Sequence, residues 1–236
     1  AYTVASAATL GGTGSTDAAV TVAAGGNLAP GVNGIGTLTV TDDTAINGTY
    51  TFEINGDTSA DLLDVTGTVT LGATSVLAVS EISATAPTAG SLITLIENDG
   101  TDLVTGEFTG LAEGATVSDG TNDYVLSYVG DDGNDVVLFA GAAETEVSFA
   151  AGVLTVTDIN NDSADNLSIT YDAFENEYVF TDTALNITTS GLTTSQITRP
   201  DARTVRVDAS IVTSIVAVTA NAGGDTQNDT VAIDVN

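Results

Sequence analysis

The sequence predicts an all-β protein built from many short strands. Three observations support this: segments in which apolar and polar residues alternate, turn-forming pairs between them, and the lack of any window with a helical period. The segments Thr37–Val40, Tyr50–Ile54 and Val153–Val156 alternate in this way, which is typical of strands with one buried face. Pairs of Asn or Asp with Gly, which favour tight turns, begin at Asn33, Asn47, Asn55 and Asp99.

Repeated patterns indicate two related modules of unequal length. Three patterns occur twice in the same order, namely Gly36–Asp42 with Gly152–Asp158, residues 59–61 with 163–165, and Gly130–Asp135 with Gly224–Asp229. A composition rich in Thr, Asp and Val can also produce such matches by itself, which leaves the repeat open. The small residues Ala140–Ala143 follow an apolar strand and indicate a boundary. We therefore expect one module at residues 1–140 and a second at residues 141–236.

The first module carries a recognisable set of strand motifs. Residues 26–31 read Gly-Asn-Leu-Ala-Pro-Gly, and residues 63–67 read Leu-Asp-Val-Thr-Gly. In this order they resemble the strand repeats of autotransporter-type passenger domains and related giant bacterial surface proteins, over residues 1–140. The resemblance implies a right-handed parallel β-helix, followed by a β-rich module that is more weakly similar to domains accompanying such repeats. The Asn-Gly pairs favour an alternative, two antiparallel sandwiches.

The charge of the chain limits the kinds of partner that it can bind. Lys and Arg number 3 against 32 Asp and Glu, for a formal net charge of −29 at pH 7. Nucleic acid and anionic lipid are therefore excluded as partners, because clusters of basic residues bind both. Membrane insertion is excluded as well, because no apolar segment is long enough to span a bilayer. Calcium, ambient salt or a basic protein suits such an acidic surface.

The same composition argues against an enzyme. The chain has no His, no Cys and no Lys, which removes the usual bases, thiol nucleophiles and amines of catalytic sites. Two carboxylates could in principle cleave a glycan, but no pair stands out. Aromatic residues, which line the grooves of sugar-cleaving β-helices, make up only 5% of the chain.

Two acidic segments resemble calcium-binding loops. The turn Gly130–Asp135 departs by one residue from the calcium-binding nonapeptide that precedes a strand. Its candidate ligands, with those of a poorer second copy, are Asp131, Asp132, Asn134, Asp135, Asp225 and Asp229. Residues 158–166 lack the Gly and Glu of an EF-hand loop, yet offer Asp158, Asn160, Asp162 and Asp165. A solvated polar turn is the alternative in both places.

All the basic residues lie in one short stretch around Pro200, at Arg199, Arg203 and Arg206. In so acidic a chain they form a candidate assembly site for the carboxylates of a neighbouring subunit, because a guanidinium group can pair with both oxygens of a carboxylate. An intramolecular salt bridge of small energy is the alternative.

Five Asn-x-Ser/Thr sequons permit glycosylation in a host that has the machinery. They begin at Asn47, Asn161, Asn166, Asn186 and Asn228. Several such sequons are expected by chance in a chain this rich in Thr.

These observations predict a non-enzymatic module of the cell surface. We expect an extracellular structural or adhesive protein, part of a surface layer, a filament or a giant adhesin, with possible stabilisation by calcium. Its expected partners are further copies of itself or the rest of a longer surface protein. A glycan-binding module is the alternative, and a glycan-cleaving β-helix enzyme is less well supported.

Overall fold

The computed structural model describes residues 1–31, 34–57, 59–159, 166–218 and 230–234. Within these ranges the chain forms twenty-five strands and one short 3-10 helix, Ala209–Ile211, with no α-helix. The prediction of an all-β fold is confirmed. No helix in the described ranges is both long and apolar enough to cross a bilayer.

The first thirteen strands make four successive turns of chain. The first turn contains β1 (Tyr2–Val4), β2 (Thr9–Gly12) and β3 (Ser15–Thr16), and the second contains β4 (Val20–Val22), β5 (Asn27–Pro30) and β6 (Thr37–Val40). The third contains β7 (Thr44–Ile46), β8 (Thr49–Asn55), β9 (Ser59–Ala60) and β10 (Leu62–Val65). The fourth contains β11 (Val69–Leu71), β12 (Val76–Glu81) and β13 (Leu92–Asn98).

Each strand of one turn pairs in parallel with its counterpart in the next, apart from the short β9, which pairs antiparallel with β8. Three parallel ladders result: face A is β1-β4-β7-β11, face B is β2-β5-β8-β12 and face C begins β3-β6-β10-β13. We call these four turns the N-terminal stack. Asn47-Gly48, which resembles a hairpin signal, instead connects β7 of face A to β8 of face B.

Side chains of one kind stack along the inside of each ladder. On face A, Val22 lies beside Ile46, and Ile46 lies beside Leu71. On face C, Leu38, Leu63 and Ile96 follow one another in the same way. All six are buried, and each fully buried aliphatic side chain contributes about 1.5–3 kcal/mol. The apolar residues of the alternating pattern therefore point from all the faces into one shared interior.

Glycine is needed at the corner between faces A and B. The amides of Thr49 and Val76 donate to the carbonyls of Gly26 and Gly48, one turn of chain away. A Cβ atom at Gly48 would lie 2.2 Å from the Gly26 carbonyl oxygen. Only glycine lets the backbones of successive turns approach this closely.

The pairing of face C changes direction after β13. The next strands are β14 (Thr116–Ser118), β15 (Asp123–Gly130) and β16 (Asp135–Ala140). β16 pairs antiparallel with β13, β15 with β16, and β14 with β15. Tyr128 of β15 holds the connecting segment between β13 and β14 in place. Its hydroxyl accepts the Phe108 N–H at 2.9 Å and donates to the Leu111 carbonyl at 2.7 Å.

The remaining strands form two facing sheets, which we call the C-terminal sandwich. In chain order they are β17 (Thr145–Ala150), β18 (Val153–Asp158), β19 (Asn166–Asp172), β20 (Glu177–Asp182), β21 (Ile187–Ser190), β22 (Ile197–Asp201), β23 (Thr204–Asp208), β24 (Ser214–Val218) and β25 (Thr230–Asp234). The hairpins β17–β18, β19–β20 and β22–β23 supply antiparallel pairs. Phe180 and Val205 from one sheet pack with Val147 and Leu154 from the other.

Face C continues from the stack into the sandwich. β15 pairs with β22 at Gly130 and Arg199, which joins the strands of both regions into one twelve-stranded sheet. Residues 141–144, of which the first three are small, connect β16 to β17. Val129 of β15 packs in the interior of the sandwich, so the strands that connect the stack to the sandwich share side chains as well as hydrogen bonds with it.

Candidate functional site

The predicted calcium turn lies between β15 and β16. Asp131 and Asp132 are exposed at its tip, whereas Asn134 and Asp135 are buried. Asp131 has a φ of 52° and Gly133 a φ of 113°, a left-handed geometry that Asp tolerates better than most residues. The turn thus directs two side chains inward and two outward.

The buried half of the turn meets the end of β13. The Asp135 Oδ1 atom accepts the backbone N–H of Asn98 at 2.8 Å. The side-chain amides of Asn98 and Asn134 both donate to the Asp102 carbonyl oxygen, at 2.5 Å and 3.3 Å. The Oδ1 atoms of Asn98 and Asn134 are buried and accept no hydrogen bond from the described residues. We call these four residues the amide cluster.

The surroundings of Asp135 disfavour its ionised form. Burial, together with the nearby carboxylates of Asp132, Asp131 and Glu97, raises the pKa of Asp135 to about 6. The Asn98 N–H partly offsets this effect by favouring the ionised form.

The second predicted calcium loop is described only at its beginning. Asp158 ends β18, is buried and pairs with Thr145 across the hairpin. Its other candidate ligands, Asn160, Asp162 and Asp165, lie outside the described residues, as do Asp225 and Asp229 of the second copy of the first turn. This loop therefore remains a sequence prediction.

Arg199 lies at the junction of the two regions and is fully buried. Its guanidinium carbon lies 4.7 Å from the centre of the Phe139 ring, and Nη2 donates to the Ile187 carbonyl. Nη1 lies 3.9 Å from Glu113 Oε1. Burial raises the pKa of Glu113 and lowers that of Arg199 to about 10, while each charge favours the other. Arg199 therefore presents no surface to a neighbouring subunit.

The other two arginines also make contacts within the chain. Arg206 lies 3.2 Å from Glu177 and 3.5 Å from Asp172, in a half-exposed network on the hairpin β19–β20. The Arg203 guanidinium packs over Gly90, at 3.0 Å from the position of a Cβ atom there. The three arginines predicted as one assembly site thus lie in three different environments.

The sequons differ in accessibility. Asn186 is buried, and its amide donates to the carbonyls of Ala140 at 2.8 Å and Gly141 at 3.2 Å, so a glycan cannot attach there in the folded chain. Asn47 is half-buried at the corner of β7 and β8, and Asn166 is exposed. Asn161 and Asn228 lie outside the described residues.

A shallow groove beside β9 gathers three carboxylates. It encloses about 280 Å³ and is lined by Asp57, Asp61 and Glu97. Asp61 is buried, and its oxygens accept the backbone N–H groups of Gly36 at 2.9 Å and Glu53 at 3.0 Å. Burial raises its pKa to about 6. Because the backbone occupies both oxygens, Asp61 fixes the turn before β10 and presents no free acid to a glycan.

Three residues of these sites escape sequence reasoning: Asn98, Asp102 and Glu113. Asn98 ends an apolar strand before Asp99-Gly100 and looks like an ordinary turn residue. Its register is the informative signal, because Asn98 lies beside Val65, and Val65 lies beside Val40. Such a signal becomes visible only when the pairing of the strands is known.

Known proteins supply no family for this chain. No protein-family model matches it, and neither a curated protein nor a solved structure does. The resemblance to autotransporter-type passenger repeats stays a prediction.

Proposed function

We propose that the chain is an extracellular structural or adhesive surface module whose N-terminal stack winds as a right-handed parallel β-helix. It would serve in a surface layer, a filament or a giant adhesin, and it would not act as an enzyme. The parallel order of faces A, B and C supports the winding. The acidic composition without His, Cys or Lys supports a non-catalytic role.

The continuous sheet is the observation that carries this proposal. Face C runs through the stack and the sandwich as one sheet of twelve strands. At the junction, Arg199 contacts Phe139 of β16 and Ile187 of β21 while facing Glu113. Two regions held in this way transmit force along one hydrogen-bonded layer, which suits a structural module.

The free edge of face B offers a place for self-association. Among the described strands β12 pairs only with β8 on this face. The amides of Val76 and Ile82 donate towards β8, so those of Leu77 and Val79 point to the free edge. Val76 and Ile82 are each 47% exposed. An unpaired edge with exposed apolar residues can add a strand from a second copy.

Sedimentation velocity over a wide range of protein concentration tests this assembly. We expect the native chain to self-associate. The double variant V76E/I82E should remain monomeric, because the new carboxylates on the β12 edges of two copies repel each other. The matched control I159E/F174E places two new charges on other exposed apolar residues and should associate like the native chain. A native chain that is monomeric at every concentration would contradict self-association through this edge.

Glycan binding is the second candidate function, and one exposed aromatic favours it. Phe174 lies in the turn between β19 and β20 and is 93% exposed, and an aromatic face can stack on a sugar ring. A glycan array probed with the native chain and with F174A tests this alternative. Hits that F174A loses would favour glycan binding, and an array without hits would exclude it.

A further inference from the structure

The inner ladder of face C ends in a polar residue. Val40 and Val65 occupy one inward position in successive turns, and Asn98 occupies the same position in the last parallel turn. Asn98 is only 2% exposed. A valine would continue the ladder without leaving a buried polar atom, and an amide in this place calls for a partner.

The two buried amides leave two oxygens without a donor. The Asp102 carbonyl accepts both Nδ2 groups, which fixes the orientation of the amides because a flip would set oxygen against oxygen. Asn98 Oδ1 and Asn134 Oδ1 then accept nothing from the described residues, although Asn134 is only 3% exposed. A buried acceptor without a partner is destabilising, so a bound species is the natural completion.

The carboxylate of Asp135 belongs to the same cluster, because it contacts Asn98 and directly follows Asn134 in the chain. Asp135 is 4% exposed and contacts the backbone of Asn98 through Oδ1. Asp131 and Asp132 lie at the tip of the same turn, and Glu97 directly precedes Asn98 on β13. The local charge is thus negative, and the unpartnered atoms are all acceptors.

We propose that the amide oxygens of Asn98 and Asn134 and the carboxylate of Asp135 hold a calcium ion between the last parallel turn of the stack and the β15–β16 turn. Water completes the coordination shell, and the exposed carboxylates at the tip of that turn add negative charge near the site. No set of three or more carboxylates in the described ranges is arranged to hold a metal by itself, so the amide oxygens are essential to the site.

Calcium fits this donor set better than magnesium or water. Calcium accepts six to eight oxygens from carboxylates, amides and carbonyls in flexible geometry, whereas magnesium demands a strict octahedron and retains its water. A single water could donate to both amide oxygens, but it would leave the negative charge of the carboxylates in place. The site goes beyond the proposed surface role, and it stands or falls independently of self-association.

Thermal unfolding of the full chain, freed of metal with a chelator, tests the site. The melting temperature is measured with calcium, with magnesium and with neither, at fixed ionic strength. Isothermal titration gives the number of sites and the Kd. We expect one calcium site and, at about 100-fold excess over Kd, a rise in melting temperature of about 5–10 °C. Magnesium should produce a much smaller rise.

Two variants and one control locate the site. N98V restores the apolar ladder, so it should fold well and lose the calcium response, and D135N should lose it through the carboxylate. D17N removes one charge from an exposed position in the first turn of the stack and should respond like the native chain. Calcium and magnesium with equal effects, or a calcium response that survives in both N98V and D135N, would overturn the proposal.

Discussion

The N-terminal stack and the C-terminal sandwich bury similar side chains by different strand pairings. In the stack, strands about 25 residues apart pair in parallel, as Leu62 does with Thr37. In the sandwich, neighbouring strands form hairpins, as Val153 does with Ala150. The stack therefore depends on equivalent positions in successive turns. The sandwich instead combines three hairpins with parallel pairs between distant strands, such as β17 with β21 and β18 with β24. The difference teaches that one alternating pattern of Val, Thr and Leu serves both arrangements.

The junction between the regions follows neither rule. It depends on Arg199, a buried cation that contacts an aromatic ring and faces a buried carboxylate. Such a group is costly to bury and more costly to leave without its partner. The largest effect of a single substitution is therefore expected at the junction, outside the interior of either region.

The substitution R199M should destabilise the chain by about 3–5 kcal/mol, because it leaves Glu113 buried and charged. Urea unfolding measures this change, and we expect the single transition to split into one for each region. The double variant E113Q/R199M should recover most of the loss, since Gln keeps an acceptor for the Tyr128 N–H that Glu113 now binds.

The control for this prediction is R206M, which breaks a half-exposed pair and should change stability by at most about 1 kcal/mol. If R199M and R206M lowered the free energy of unfolding equally, Arg199 would not hold the junction as described.

The substitution G48A should cost about 1–3 kcal/mol, because its Cβ atom would be forced against the carbonyl of Gly26 in the preceding turn. The free energy of unfolding from urea titration checks this value. G14A is the matched control, since a Cβ atom there meets nothing within 4 Å. If both variants were equally stable, the close stacking of corners in the N-terminal stack would be wrong.

The pH dependence of stability should report Asp61 of the stack. Its pKa in the folded chain is about 6, above the value of about 3.9 for an unfolded Asp, so the folded state holds the proton more tightly. The stability that Asp61 contributes is therefore full below about pH 4 and is lost as the pH rises through about 6. The nearby Glu53 carboxylate acts in the same direction.

Unfolding of the native chain and of D61N at several pH values measures this smaller effect. The stability of the native chain relative to D61N should be greater at pH 4 than at pH 7. The opposite trend would mean that the two backbone N–H groups outweigh burial and keep Asp61 ionised.

Much of the local structure is readable in the sequence, and the pairing is not. Thr37–Val40 is a strand as predicted, because alternation reports which side chains are buried. Asn47-Gly48 misleads, because a corner that needs glycine for close approach looks like a tight hairpin turn. Parallel pairing depends on residues far apart in the chain, and no local pattern encodes it.

The candidate site divides in the same way. Asp131 to Asp135 stand out as an acidic turn, and that turn is where the amide cluster lies. Asn98 contributes through its register, and its contact with Asp135 spans 37 positions. Arg199 is predicted as part of an assembly site, and its burial reflects a junction that only the assembled fold creates.

Rigidity across the junction is the central claim, and a distance measurement tests it most directly. The chain has no cysteine, so T70C/T170C places one spin label on an exposed residue of each region. Pulsed electron paramagnetic resonance should give one narrow distribution of label-to-label distances in the native background and a broad distribution when R199M is added. A broad distribution in the native background would show that the two regions move independently and would contradict the account.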